Sequence, residues 1–175
     1  MSEPVTVSGR TPAGDFGQPV DDMVRQYVKD KWGGTNDPVP SINPPYDLAT
    51  NVRFSDFDYD GNATYHVKVK EDTTRFNDEL IAQGFLWFVT PVNFLITARR
   101  LRYGKTFEQL DNIRLEIVRI IGTYKPDDIS GIPGMDIVDP GDVAPETQFT
   151  NRGPRSVWRA QVVAEVYYGK QWLLF

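Results

Sequence analysis

Seven consecutive residues, Asp56-Phe57-Asp58-Tyr59-Asp60-Gly61-Asn62, hold the clearest chemical pattern in the chain. Carboxylates at three alternate positions followed by a glycine match the first half of a calcium loop, in which hard oxygen ligands converge on one cation and the glycine permits a sharp turn. The match then fails. Its twelfth position, which needs a bidentate Glu, is Val67, and no helical periodicity flanks the segment. Asp56, Asp58 and Asp60 are thus metal candidates with an incomplete ligand set. The preferred reading is a strand edge with these acids outward and Phe57 and Tyr59 inward, ending in a hairpin turn at Asp60-Gly61-Asn62.

Other chemistry is sparse. Nucleophilic catalysis of the Ser-His-Asp kind needs a base beside the nucleophile, and the chain has one histidine and no cysteine. His66 falls within the alternation of Tyr65, Val67 and Val69, on the side shared with Lys68 and Lys70, and is expected to be a solvated strand residue. No glycine-rich turn leads into a helix with Lys-Ser or Lys-Thr, so no phosphate cradle is legible. The expectation is a protein that is not an enzyme and carries no cofactor. A formal net charge of −5 argues against a wide phosphate-gripping face and against direct sequence-specific nucleic-acid binding. The acids are mostly Asp and the bases mostly Arg, a bias that resembles salt-adapted proteins. The opening Met-Ser-Glu-Pro-Val-Thr lacks the pattern of a secretory signal, and the longest apolar runs fall far short of the ~20 residues of a membrane helix. A soluble protein is expected.

The elements that would position these residues follow from periodicity. Residues 1–18, rich in Pro, Gly, Ser and Thr, read as a flexible arm ahead of a single domain over 19–175. Val20, Met23, Val24, Tyr27, Val28 and Trp32 recur at helical spacing, with Asp21 and Asp22 at the favourable N-terminal end and Gly33-Gly34 as a stop. Four prolines exclude helix or central strand between Asp37 and Tyr46. Val52 and Phe54 suggest a short strand, and Tyr65, Val67 and Val69 a second. Phe85 to Val89 and then Val92, Phe94 and Ile96 make one long strand, or two kinked at Pro91. Phe107, Leu110, Ile113, Ile117, Ile120 and Ile121 mark a second helix, opened by a Thr106–Gln109 capping box. From Tyr124 to Pro154, prolines and glycines predict an irregular loop. Trp158, Ala160, Val162, Ala164, Val166 and Tyr168 then face one way along a closing strand, with Arg159, Gln161 and Glu165 opposite. The fold class is α+β: an antiparallel or mixed sheet, two helices on one face, and a long irregular loop before the last strand.

Two segments carry apolar side chains without an evident place to bury them. Ile132, Met135 and Ile137 sit in the long loop, and Trp172 to Phe175 follow the last strand. Both are candidate subunit contacts, the alternative being that they fold back on their own domain.

The order of elements over residues 18–170 resembles the tail terminator proteins of long-tailed phages and related archaeal viruses: an N-terminal helix, strands, a helix at Phe107 to Ile121, a long irregular segment, and a closing strand at Ser156 to Tyr168. The similarity lies in layout rather than in invariant motifs, so it transfers no site residue. It implies a virion protein of the tail or neck, assembled in the host cytoplasm. Its copies would form a ring, typically of six, that caps the tail tube and joins it to the head connector. Another neck or tail-completion protein, or a protein-binding adaptor outside viruses, fits the same composition.

Overall fold

The computed structural model describes residues 19–32, 52–61, 63–76, 85–99, 106–126 and 128–171. Within them the chain is α+β. Helix α1 (Val20–Lys31) leads to strands β1 (Val52–Ser55), β2 (Tyr65–Glu71), β3 (Arg75–Phe76) and β4 (Phe85–Arg99). Helix α2 (Thr106–Gly122) and strands β5 (Gly134–Asp139), β6 (Ala144–Thr150) and β7 (Gly153–Gln171) complete it. The open sheet runs β1-β2-β4-β7-β5, with β3 beside β4 and β6 beside β7. Every pairing is antiparallel except β1 with β2.

The two apolar stripes decide where the helices go. Val20, Met23, Val24, Tyr27 and Val28 of α1 are buried, as are Leu110, Ile113, Ile117, Ile120 and Ile121 of α2. Both helices lie on the same face of the sheet, α1 over β1 and β2, α2 over β4, β5 and β7. That face supplies Val67, Val69, Val92, Phe94, Ile96, Ala160, Val162, Ala164, Val166 and Tyr168, so a single aliphatic core separates helices from sheet. At the start of α1 the buried Asp21 accepts the backbone N–H of Glu71 (3.4 Å) and lies 3.9 Å from Lys70 Nζ, which ties the helix to β2. The Gln109 half of the capping box is not made, since Gln109 Oε1 is buried without a partner, and Phe107 is half exposed against Trp158.

Strand β4 passes through Pro91 unbroken. Its Val92–Ala98 stretch pairs with β2 and its Phe88–Val89 stretch with β3. Pro91 falls in the gap, and its carbonyl, which points the same way as its nitrogen, accepts Asp72 N–H on that outer edge. The missing donor therefore interrupts no ladder.

Two expectations need correction. First, Asp60-Gly61-Asn62 does not close a hairpin, because β1 and β2 run parallel and the chain between Ser55 and Tyr65 doubles back. So short a return suffices because β1 has only four residues. Second, much of the segment from Tyr124 to Pro154 is strand. The β5 and β6 strands lie end to end along one edge of β7, and a Thr150–Gly153 turn closes the hairpin. At the corner between them, Gly141 has φ 66° and its Cα faces the Gln161 carbonyl so closely that a Cβ would clash, while Arg114 of α2 donates to the Pro140 and Gly141 carbonyls (3.0 Å each). Before β5, the Tyr124 hydroxyl donates to the Ile132 carbonyl (2.6 Å) and accepts Ile129 N–H (3.1 Å), folding that turn onto the core.

Ile132 and Met135 are consequently buried among the chain's own side chains, and Ile137 packs against the same cluster. Ile132 and Met135 are thus enclosed by their own domain, while Ile137 is only partly covered. Trp172 and Phe175, the residues before 19 and Gly33-Gly34 lie outside the described residues.

Candidate functional site

The return segment after β1 lies on the face of the sheet that carries no helix. Phe57 and Tyr59 both turn toward His66, with ring centroids 5.8 Å from the imidazole in each case. His66 is 1% exposed and Ser55 5%. The histidine is thus a buried residue and not the solvated one expected. It points away from the helices, and among the described residues Phe57 and Tyr59 lie over it.

Ser55 Oγ lies 2.6 Å from His66 Nε2 and 3.2 Å from the Phe57 carbonyl oxygen. The carbonyl can only accept, so the serine hydroxyl donates to it and accepts from Nε2–H. In the neutral ring, which burial favours, Nδ1 is then a buried acceptor without a partner. Burial holds the His66 pKa below 6.5, reinforced by the Arg53 guanidinium, while Asp60 and Asp58 pull weakly the other way. The proton arrangement is the reverse of an activated nucleophile, in which serine donates to the base and a third group orients the other ring nitrogen. With both groups enclosed, the Ser55–His66 pair is built to fasten the return segment to β2.

The three candidate metal ligands point outward. Asp58 meets Lys68 Nζ at 2.6 Å, and that ammonium holds its carboxyl below the ordinary value of 3.8. Asp60 meets Arg53 at 3.5 Å, and Asp56 is exposed. Asp58 and Asp60 thus engage cations of the protein itself. Among the described residues no three His, Cys, Asp or Glu side chains come together in a way that would hold a metal. Arg53 also stacks over Phe57 (4.7 Å), and the Tyr59 hydroxyl donates to the Ala63 carbonyl (3.0 Å), with burial raising its pKa. Aromatic rings inside and ion pairs outside make this a small second cluster.

The distal β6–β7 ribbon is the other feature. Cross-strand partners in an antiparallel pair share a face. Pro145 with Trp158, Thr147 with Ser156, and Phe149 with Pro154 therefore line the helix side, and Glu146 with Val157 and Gln148 with Arg155 line the other. The second side is covered: Val157 is buried, Arg159 Nη1 donates to both carboxylate oxygens of Glu146 (2.7 and 2.8 Å), and Arg155 lies across Gly61. The helix side is bare. Pro145, Thr147, Pro154 and Ser156 are wholly or partly exposed, and Phe149 is 87% exposed. With the half-exposed Phe107 against Trp158, this is an apolar stripe running outward from the start of α2.

Sequence reasoning placed neither feature. Phe57 and Tyr59 at alternate positions did signal an apolar target beneath the acids, but not that it was a histidine. The ribbon was hidden by prolines that suit an edge strand as well as a loop. No protein-family model matches this chain, and no curated protein matches it. Among the described residues no helix is long and apolar enough to cross a membrane.

Proposed function

We propose that this protein is a structural subunit of a virion, of the tail-terminator type, whose copies form a ring that caps the tail tube and joins it to the head connector, without catalysis. The observation that carries this reading is the β6–β7 ribbon, which contacts the rest of the fold along one side and holds an exposed aromatic stripe on the other. Phe149, 87% exposed, and the half-exposed Phe107 belong to one apolar stripe with Pro145, Pro154 and Trp158, and a contiguous patch of this kind supports an interaction surface. The closed Ser55–His66 pair supports the same reading, since the one histidine of the chain is used to hold a loop down. Six copies are expected from the resemblance of element order to tail terminators.

Electron microscopy of the purified protein, alone and mixed with the tail-tube and connector proteins encoded beside it, tests the proposal. The expected images are closed rings or rings seated on tube ends, with light scattering giving one discrete oligomer mass. A protein that remains monomeric and binds neither partner would sink it.

A further inference from the structure

We propose that the exposed stripe on the ribbon is the seat for the Trp172-Leu173-Leu174-Phe175 segment of a second copy. The inference rests on the ring reading above and gives it a specific subunit contact. Strand β7 runs unbroken from Gly153 to Gln171. At about 3.3 Å per residue its two ends stand on the order of 60 Å apart. The ribbon tip, with Phe149 and Pro154, is at one end, and residues 172–175 continue directly from the other. Four residues span at most about 14 Å, so this segment cannot return to the stripe of its own chain. The stripe of another copy is accessible to it.

The two surfaces match in length and chemistry. From Trp158 to Pro154 the stripe extends about 13 Å along the strand, the reach of a four-residue extended segment. It offers Phe149, Pro154, Pro145 and the edge of Trp158, separated by the small Thr147 and Ser156, so large side chains of an incoming segment have gaps to enter. Its helix side has no charged residue between Pro145 and Phe149 other than those whose side chains point to the opposite face. The incoming segment is likewise apolar at all four positions. A donor at one end of a strand and an acceptor at the other also define a heterologous contact, the kind that repeats around a closed ring.

The absence of cysteine makes the test direct. Chains carrying Ser156→Cys, a small change within the stripe that leaves Phe149 in place, at natural isotope abundance are mixed with nitrogen-15-labelled chains carrying Phe175→Cys and oxidised mildly. The products are read by intact mass. The expected product is a disulfide-linked pair of one light and one heavy chain, and the control pair Asp56→Cys with Phe175→Cys should give none. In parallel, light scattering should show that Phe149→Ser, which replaces an exposed side chain and leaves circular dichroism unchanged, weakens association by about tenfold or more. Phe149→Tyr should retain it. Failure of the light–heavy link while the wild type forms its oligomer overturns the docking and leaves the ring standing. A wild type that never self-associates overturns the ring and the docking together. If Phe149→Ser disrupts folding, the cross-link alone decides whether the docking stands.

Discussion

On one face of the sheet, two helices cover the strands with aliphatic side chains at helical spacing; on the other, the segment between Ser55 and Tyr65 lies over the β2 end, with two aromatic rings over a histidine. Leu110, Ile113, Ile117, Ile120 and Ile121 of α2 belong to one continuous buried cluster with the strands, so removing one disturbs a packed layer that cannot collapse locally. The cover over His66 consists of a short irregular stretch whose outer surface is ion pairs and whose Phe57 ring is 43% exposed. Such a stretch can lift while the sheet stays intact. The difference is one of cooperativity: the helix side belongs to global unfolding, the loop side to a local opening at lower free energy.

The largest effect should come from the first of these. Ile117→Ala removes a buried aliphatic side chain beneath α2 down to its Cβ and is expected to cost about 3–4 kcal/mol, read as a lower midpoint in urea with an unchanged slope. His66→Ala should cost less, about 2 kcal/mol, because the loop above it can settle into the space and the lost Ser55 bond is replaced by water. If the two variants cost the same, the loop-covered cluster is as cooperative as the core and the contrast fails. Hydrogen exchange offers an independent check: amides of Phe57 and Tyr59 should exchange faster than those of Phe94 and Val162.

Acid should separate the faces further. His66 in the folded chain titrates below 6.5, since burial and Arg53 disfavour its charged form. The unfolded chain therefore binds this proton more readily than the folded one. The stability this group contributes is complete above its unfolded pKa and is lost as pH falls through the folded value. Between about pH 7.5 and 5 the wild-type melting temperature should drop, and His66→Phe, which cannot titrate, should show a shallower decline. The chain has no other histidine to confuse the comparison. A variant whose decline parallels the wild type would assign the acid response to carboxylates elsewhere.

What was legible in the sequence divides along the same line. The helix-side stripe of α1, the α2 positions from Leu110 onward, and the alternation of β2 and β7 all repeat with one period for long enough to fix which face is buried. The parallel pairing of β1 and β2 was not legible, because Asp60-Gly61 supplies turn chemistry without saying whether the turn joins neighbours in a hairpin or carries the chain back. Nor were β5 and β6, where Pro140 and Gly141 turn the corner between two strands and Pro145 lies on an edge strand paired on one side only. His66 misled for a related reason. Its alternation with Tyr65 and Val67 correctly put it on the opposite face, and only contacts with Phe57 and Tyr59, earlier in the chain, show that this patch is closed.

The smallest expected effect lies on the outside of the loop. Asp58 is largely exposed, and its partner Lys68 has a long, mobile side chain, so the 2.6 Å contact gains little over hydration. Asp58→Asn should change stability at neutral pH by no more than about 0.5 kcal/mol, within the range of exposed ion pairs. The same geometry sets the expectation for calcium. A cation entering between Asp56, Asp58 and Asp60 would have to displace Lys68 and Arg53 from two of the carboxylates, and Val67 supplies no ligand where a calcium loop would place its bidentate Glu. Titration calorimetry should therefore give no saturable calcium binding at micromolar concentration, and the melting temperature should not respond. Saturable binding that Asp58→Ala abolishes would mean that the loop rearranges to form a site. It would also turn the outer layer of ion pairs from a passive cover into the most responsive part of the molecule.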